Sequence, residues 1–136
     1  MNNQITVNGR SGAFCAYTAR PAALPAPAVV VLQELFGVNA DIRKHFDELA
    51  ERGFIAVAPD LFWRQEPGVD LSVTSEADWQ HGLRLYQAYE RDAGAADVRD
   101  AVSTVGHWFD PSTAHQLEQK GFGPLGTGRP RWSLSD

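Results

Sequence analysis

This sequence has little cysteine, no run of basic residues and no long hydrophobic stretch. One cysteine occurs among 136 residues, so no disulfide can form within the chain. No uninterrupted apolar segment approaches the roughly 18 residues that a membrane-spanning helix needs. The N-terminus also lacks a charged region followed by an apolar stretch, the pattern that directs secretion. We therefore expect a soluble protein of the cytoplasm.

The charge balance bears on which partners the chain could bind. The chain carries 17 acidic and 12 basic side chains, for a net charge of −5. This balance argues against nucleic acid and against an anionic membrane surface as the partner. Hydrophobic residues make up 43% and charged residues 21% of the chain, as in globular proteins. The length fits one domain that can bury a core.

Two short strands are predicted near the N-terminus. Residues 4–7 alternate polar and apolar side chains, and residues 13–18 form a second strand-like run. The segment 8–12 between them begins with Asn-Gly, the strongest short signal for a hairpin turn. The sequence therefore predicts an antiparallel pair, followed by a proline-rich surface loop at residues 20–27.

The stretch from Val29 to Asn39 is the feature around which the rest of the sequence is organised. Residues 29–32 are four consecutive apolar residues, which predicts a strand buried on both faces at the centre of a parallel sheet. Gln33 and Glu34 follow at its carboxyl end, where open α/β sheets bind ligands. We therefore take Glu34 as a candidate functional residue rather than a solvated residue at the end of a strand.

A strand–helix–strand unit is predicted after this stretch. Asp41 can cap a helix that Gly53 ends in a left-handed conformation. The helix has one apolar face, formed by Ile42, Phe46, Leu49 and Ala50. Residues 54–58 are again all apolar and predict the second strand. The two strands should therefore be parallel, with a right-handed crossover.

A long helical region is predicted in the second half of the chain. Ser75 with Asp78 resembles a capping box, which opens a helix through about Arg91. Gly94 is a candidate break, and a helical period continues after it to about residue 105. We therefore expect the folded domain to span residues 1–105.

The tail, residues 106–136, differs in composition from the rest of the chain. It has few aliphatic residues, and we expect it to be irregular. Its segment 121–126 spells G-x-G-x-x-G, but a dinucleotide site needs this motif between a strand and a helix, and neither is predicted there. Our hypothesis is that the tail is out of register with an ancestral reading frame, which the coding DNA would test. A deliberate chain boundary is the alternative.

Several motifs in register resemble the dienelactone hydrolase family, the carboxymethylenebutenolidase-like α/β-hydrolases. Residues 33–39, Gln-Glu-Leu-Phe-Gly-Val-Asn, are similar to the segment that ends the family's third strand. Residues 59–62 match, followed in the same order by 64–65, 67–68, 85–89 and 93–97. The likeness covers about residues 4–105. It implies the N-terminal half of an α/β-hydrolase, truncated, with a βαβ unit in a parallel sheet and antiparallel first strands.

The resemblance implies hydrolysis of a small lactone or ester by acyl transfer, with no cofactor. In the family a cysteine nucleophile lies on a G-x-C-x-G elbow, with a His and an Asp further along the chain. Glu34 matches the glutamate that helps to set the protonation state of that cysteine. The backbone N–H of Leu35 matches a donor that forms half of the oxyanion hole.

The chain departs from the family at the nucleophile. It contains neither G-x-C-x-G nor G-x-S-x-G. Cys15 lies on an early strand without a glycine elbow, and we expect it to be a core residue. Trp79 stands about where some family members carry a substrate-facing arginine, and Arg84 is a poor substitute, which weakens the case for a carboxylated lactone as substrate.

Two hypotheses of different class remain open. In the first, the chain is part of a hydrolase and is inactive alone. In the second, it is a non-catalytic binding or interaction module that retains half of the scaffold. A fragment would leave the sheet open where the elbow strand should pair, whereas an evolved module would cover that edge.

No metal site is predicted from the histidines. Asp41 and His45 are spaced to share a helix face, but a metal needs three or four converging ligands. The remaining histidines, His81, His107 and His115, have no such spacing. Three tryptophans are expected to be packing aromatics rather than a base-stacking surface: Trp63, Trp79 and Trp108.

Overall fold

The computed structural model describes residues 3–108, in which four strands and three α-helices follow the predicted order. The strands are β1 (Gln4–Gly9), β2 (Gly12–Ala19), β3 (Ala28–Val30) and β4 (Ile55–Pro59), and the helices are α1 (Ala40–Glu51), α2 (Glu76–Gln87) and α3 (Arg91–Thr104). The strand order is β1-β2-β4-β3. β3 and β4 are parallel, and β1 and β2 are antiparallel to each other. The predicted α/β fold with a βαβ unit is confirmed.

The hairpin of β1 and β2 closes two residues later than Asn-Gly. Gly9 pairs with Gly12, so Arg10 and Ser11 form the turn. The Arg10 N–H donates to the Asp100 carboxylate at 3.0 Å, which ties the turn to α3. This tertiary contact holds the turn at Arg10, inside the segment for which the sequence predicted a hairpin.

Strand β3 is not the central strand, and this prediction was wrong. Among the described residues it pairs only with β4, so it lies at the edge of the sheet. Its residues are half-buried, and the Leu32 side chain just beyond it is 57% exposed. β4 occupies the interior position instead, and all five of its residues are buried. An apolar run indicates that a strand can be buried. Whether the strand is buried depends on which strands and helices lie beside it in the fold.

Helix α1 begins two residues earlier than predicted. Asn39, not Asp41, is the N-cap, because its side-chain oxygen accepts the Ile42 N–H at 3.2 Å. Asp41 lies in the first turn, where its charge favours the positive end of the helix. Gly53, at φ +90°, follows the helix in the left-handed conformation that was predicted.

The long helical region is two helices rather than one. The chain leaves helical geometry at residues 88–90, before Gly94. Ser75 caps α2 as predicted, because its hydroxyl accepts the Asp78 N–H at 3.2 Å. The Asp78 carboxylate, however, accepts the Ser72 N–H at 2.8 Å, so no reciprocal capping box forms.

Gly94 serves packing within α3. A Cβ atom added to Gly94 would lie 1.6 Å from the hydroxyl oxygen of Tyr89 and 2.5 Å from the adjacent ring carbon. The glycine therefore makes room for the Tyr89 ring against the first turns of the helix. It does not break the helix.

The sheet is covered on both faces. Helix α3 packs on one face, in a cluster of six buried residues: Val7, Phe14, Ala16, Val57, Ala101 and Val105. Helix α1 packs on the other face, where Phe46 contacts Ala19, Val38, Ala56 and Ala58. The core therefore lies in two layers on either side of β2 and β4.

The prediction that Cys15 is a core residue was wrong, because Cys15 is exposed. Phe14 and Ala16 point into the α3 layer, so Cys15 between them points to the opposite face of β2. At this end of the strand that face borders an open cavity of about 290 Å³, which Tyr17 and Val69 also line.

The tail beyond residue 108 lies outside the described residues. The G-x-G-x-x-G segment, His115 and the predicted irregularity of the tail fall there. Residues Gly106–Trp108 form a short 3-10 turn after α3. In the range 3–108, no helix is long and apolar enough to cross a membrane.

Candidate active site

The loop of residues 33–39 leaves β3 at the carboxyl end of the parallel strands and is fixed in place by backbone contacts. The Gly37 N–H donates to the Glu34 carbonyl at 3.3 Å, and the Leu71 N–H donates to the Phe36 carbonyl at 2.9 Å. Gly37 has φ +76°, and a Cβ there would lie 2.0 Å from the Val69 carbonyl oxygen. Only glycine fits, because the conformation is left-handed and the neighbouring backbone is too close.

Gln33 joins this loop to the loop that follows β4. Its side-chain oxygen accepts the Leu61 N–H at 2.9 Å, and its side-chain nitrogen donates to the Glu34 carbonyl at 3.3 Å. The amide thus binds the carboxyl ends of β3 and β4 together. It also fixes the backbone of Glu34 while leaving the Glu34 side chain unconstrained.

The Glu34 side chain reaches a groove of about 420 Å³ at this edge of the sheet. The groove is lined by Gln33, Glu34, Leu35, Phe36, Leu61, Phe62, Trp79, Leu83, Tyr86 and Tyr89. Within residues 3–108 the Glu34 carboxylate makes neither a hydrogen bond nor an ion pair. A groove of this size, mostly apolar with a few polar groups, is typical of small-molecule sites.

The backbone of Leu35 is held against helix α2. A Cβ added to Gly82 would lie 2.4 Å from the Leu35 carbonyl oxygen, so the helix approaches the loop backbone closely. No hydrogen bond is made by the Leu35 N–H in the part of the chain that the structure describes. Leu35 therefore offers a fixed, unpaired N–H beside the groove, which is what an oxyanion-hole donor requires.

Trp79 forms one wall of the groove. Its indole N–H donates to the Val73 carbonyl at 2.8 Å, and its ring meets Phe36 edge to face at 4.8 Å. The side chain is nevertheless 44% exposed. Arg84 is not among the lining residues. The groove therefore has the Trp79 indole, and not an arginine of α2, at the position where some members of the resembling family carry a substrate-facing arginine.

A partly buried ion pair joins the loop after β4 to α3. Arg64 binds the Asp97 carboxylate through two nitrogens, at 2.5 Å and 3.0 Å, and Trp63 donates to the same carboxylate at 3.0 Å. The hydrogen bonds that Arg64 donates to Asp97 raise the pKa of Arg64. Sequence reasoning gave this pair no role, although both residues lie in segments that carry the family resemblance.

Asp60 organises the turn that follows β4. One carboxylate oxygen accepts the Phe62 N–H at 3.2 Å and the other accepts the Gly68 N–H at 2.8 Å. Burial raises the pKa of Asp60, and the two N–H groups act in the opposite direction. The turn positions Leu61 and Phe62, which line the groove.

The described residues bring Glu34 and Leu35 together but bring no nucleophile to them. Cys15 lines a separate cavity, which residues 67–70 also border, and no cysteine or histidine is among the described residues that line the groove. His81 lies 2.5 Å from Glu66, and His45 lies 3.6 Å from Glu48. Between residues 3 and 108, no three potential metal ligands converge.

Comparison with known proteins gives consistent matches. A family model described as the dienelactone hydrolase family matches residues 14–118. A protein from Azospirillum brasilense assigned as a carboxymethylenebutenolidase is 46% identical over 85 residues, 62% of this chain and 37% of the relative. The carboxymethylenebutenolidase of Pseudomonas putida is 39% identical over 94 residues, 69% of this chain and 40% of the relative.

A solved structure agrees with these matches. A crystal structure assigned as a dienelactone hydrolase from Klebsiella pneumoniae superposes with a TM-score of 0.65 and 29% identity, covering 79% of this chain and 44% of the other. The chain thus spans between 37% and 44% of the length of these relatives. All of the groove residues fall within the segment that the family model matches.

Proposed function

The chain belongs to the dienelactone hydrolase family, and on that premise we propose that it supplies part of an acyl-transfer site for a small lactone or ester. The observation that supports this proposal is that the Leu35 N–H, which makes no hydrogen bond among the described residues, and the Glu34 carboxylate both lie at one groove at the end of β3. Leu35 is the oxyanion donor in this proposal. Glu34 is the group that influences the protonation of the attacking thiol.

The chemistry explains why these two groups are useful together. Attack of a thiolate on the ester carbonyl carbon moves the carbonyl electrons to oxygen, and a fixed N–H stabilises that charge without reorganising. Collapse of the intermediate breaks the carbon–oxygen bond, which releases the alcohol of an open-chain ester or opens the ring of a lactone. The acyl-enzyme that remains is then hydrolysed by water. A carboxylate near the thiol acts on the proton that the thiol must lose before attack.

We propose that this chain does not turn over esters alone. Its sequence contains no nucleophile elbow, and its single cysteine lines a cavity that is separate from the groove. The first experiment is hydrolysis of an activated aryl ester and of a dienelactone by the purified chain, with Cys15→Ser in parallel. Turnover that Cys15→Ser abolishes would contradict the proposal, because Cys15 would then be the nucleophile.

A chimera tests the positive part of the proposal. Residues 4–105 of this chain would replace the matching segment of the Pseudomonas putida relative, so that the relative supplies the remainder of the domain. We expect the chimera to hydrolyse an activated aryl ester, and Glu34→Gln to lower turnover about 100-fold. Glu51→Gln, on the exposed end of α1, is the matched control. Equal activity of the two variants would show that Glu34 has no part in the reaction.

A non-catalytic binding or interaction module is the second candidate, and it requires a partner that covers the edge of β3. Within the described range β3 has one neighbour, and Leu32 beside it is 57% exposed. Such an edge can accept a strand from a partner. Light scattering of the purified chain distinguishes the candidates: a stable, well-defined species indicates a module, whereas growth of aggregates with concentration indicates an incomplete scaffold.

A further inference from the structure

We propose that the groove recognises the uncharged aromatic part of an ester and discriminates against substrates that carry a carboxylate. This inference rests on the proposed function, because it names the substrate class for that site. The inference is supported by the residues that form the groove wall and not by the Leu35 N–H. Trp79 is the residue to which we assign the discrimination.

The groove wall is aromatic and open to solvent on the side of α2. Trp79, Leu83 and Tyr86 share one face of this helix, and their side chains are 44%, 39% and 51% exposed. Large exposed apolar side chains that line one groove mark a surface that binds something. Rings on this face can stack on a flat, uncharged group of the ligand.

Trp79 is already held in the position that such a ligand needs. Its indole N–H is bonded to the Val73 carbonyl, and its edge-to-face contact with Phe36 fixes the plane of the ring. A ring that is fixed before binding loses little side-chain entropy when a ligand arrives. The wall is therefore preorganised for an aromatic ligand rather than shaped by it.

The charge in the groove opposes an anionic ligand. Glu34 carries the only formal charge among the described lining residues, and it is negative. Two arginines of this half of the chain are engaged elsewhere: Arg64 with Asp97, and Arg43 with Asp70 at 2.9 Å. A ligand carboxylate would lose water beside Glu34, and none of the described lining residues would offer it a cation in return, which is unfavourable.

Binding to the intact chain tests the inference without requiring turnover. Three matched probes are used: dimethyl terephthalate, monomethyl terephthalate, and methyl 4-(trimethylammonio)benzoate, which are neutral, anionic and cationic. Titrations follow the indole N–H signals by NMR, with Trp79 assigned from Trp79→Phe. We expect the neutral probe to bind at least about tenfold more tightly than the anionic probe. Tighter binding of the anion, or tenfold tighter binding of the cation, would overturn the inference.

Variants assign the effect to Trp79. Trp79→Arg is expected to reverse the preference toward the anionic probe, and Trp79→Ala to weaken the neutral probe about tenfold. Leu24→Ala, an equally exposed apolar site at 43% in the loop before β3, is the control and should change neither affinity. The spread of amide signals verifies that each variant is folded. An unchanged preference in folded Trp79→Arg would refute the assignment.

The two proposals fail in different ways. An active chimera that prefers carboxylated substrates would retain the proposed function and remove this inference. An inactive chimera together with tight binding of the neutral probe would remove the proposed function and retain the binding preference of the groove. A groove that binds none of the three probes would remove the inference, whatever the chimera does.

Discussion

Arg64 and Asp97, which are 33 positions apart in sequence, form a two-point ion pair, with nitrogen–oxygen distances of 2.5 Å and 3.0 Å. The Asp97 side chain is 3% exposed and the Arg64 side chain is 31% exposed. Because the carboxylate is buried, its partners decide whether its charge is tolerated. The pair therefore holds the loop after β4, and with it the groove wall, against α3.

Removing the arginine should destabilise the fold. Arg64→Ala leaves the buried Asp97 carboxylate with the Trp63 indole as a remaining donor. We expect the free energy of unfolding in urea to fall by about 3 kcal/mol. Arg99→Ala, an exposed arginine on α3, is the control. A loss in Arg64→Ala no larger than in the control would show that the pair contributes nothing to stability.

Gly94 is the second position with a clear prediction. In most helices Gly→Ala is stabilising by about 1 kcal/mol, but here the new methyl group would overlap the Tyr89 ring. We expect Gly94→Ala to lower the free energy of unfolding by about 1 to 3 kcal/mol. In the background of Tyr89→Leu the same change should be neutral or stabilising. Additive effects in this double-mutant cycle would contradict the contact.

The parts of the fold that could be predicted are those set by local pattern. The strands, the end of α1 at Gly53 and the cap at Ser75 follow from periodicity and from backbone preferences. Whether a strand lies at the edge or in the centre of a sheet depends on residues distant in sequence, so the apolar run of β3 was assigned to the wrong position. Asn39 displaced Asp41 as the cap because its amide also donates to the Leu71 carbonyl at 3.4 Å, a contact that sequence does not reveal.

The candidate site was predictable only in part. Glu34 and Leu35 came from motif resemblance together with the rule that ligands bind at strand ends. Their roles remain predictions until the chimera is measured. Gly82, Arg64 and Asp97 could not be assigned, because their roles depend on side chains or backbone that are distant in sequence. Cys15 was misplaced because β2 is covered by α1 at one end only, which composition does not show.

Asp60 gives the chain a specific pH dependence. Burial raises its pKa in the folded state, so the native protein keeps this proton to a higher pH than the unfolded chain does. Below the unfolded pKa the stability that the protonated group contributes is fully present, and it is lost as the pH rises through the folded pKa. Asp60→Asn cannot ionise. The stability of the wild type relative to this variant should therefore fall as the pH rises through the acid range.

Urea unfolding of both proteins from about pH 3 to about pH 7 measures this difference. Asp47→Asn, at an exposed position in α1, is the matched control for loss of one negative charge. If the wild type instead gained stability relative to Asp60→Asn as the pH rises, the predicted sign of the pH dependence would be wrong. In that case the N–H groups of Gly68 and Phe62 would outweigh the effect of burial.

Gly37 and Gly68 separate two reasons for keeping glycine. Both have left-handed backbone, at φ +76° and +73°. A Cβ at Gly68 would meet nothing within 4 Å, whereas one at Gly37 would lie 2.0 Å from the Val69 carbonyl oxygen. Gly68→Ala should therefore cost only the left-handed strain, about 1 to 2 kcal/mol. Gly37→Ala should cost that strain plus displacement of the loop that carries Glu34 and Leu35.

We expect Gly37→Ala to lower the free energy of unfolding by about 2 kcal/mol more than Gly68→Ala does, as measured in urea. In the chimera, Gly37→Ala should also lower turnover far more than Gly68→Ala, because a displacement of about 1 Å at the oxyanion donor can cost about 100-fold in rate. Equal stability losses would mean that the residue 69 backbone yields freely. Full activity of Gly37→Ala would mean that the loop does not position the reacting groups, and the Leu35 N–H would then lose its proposed role.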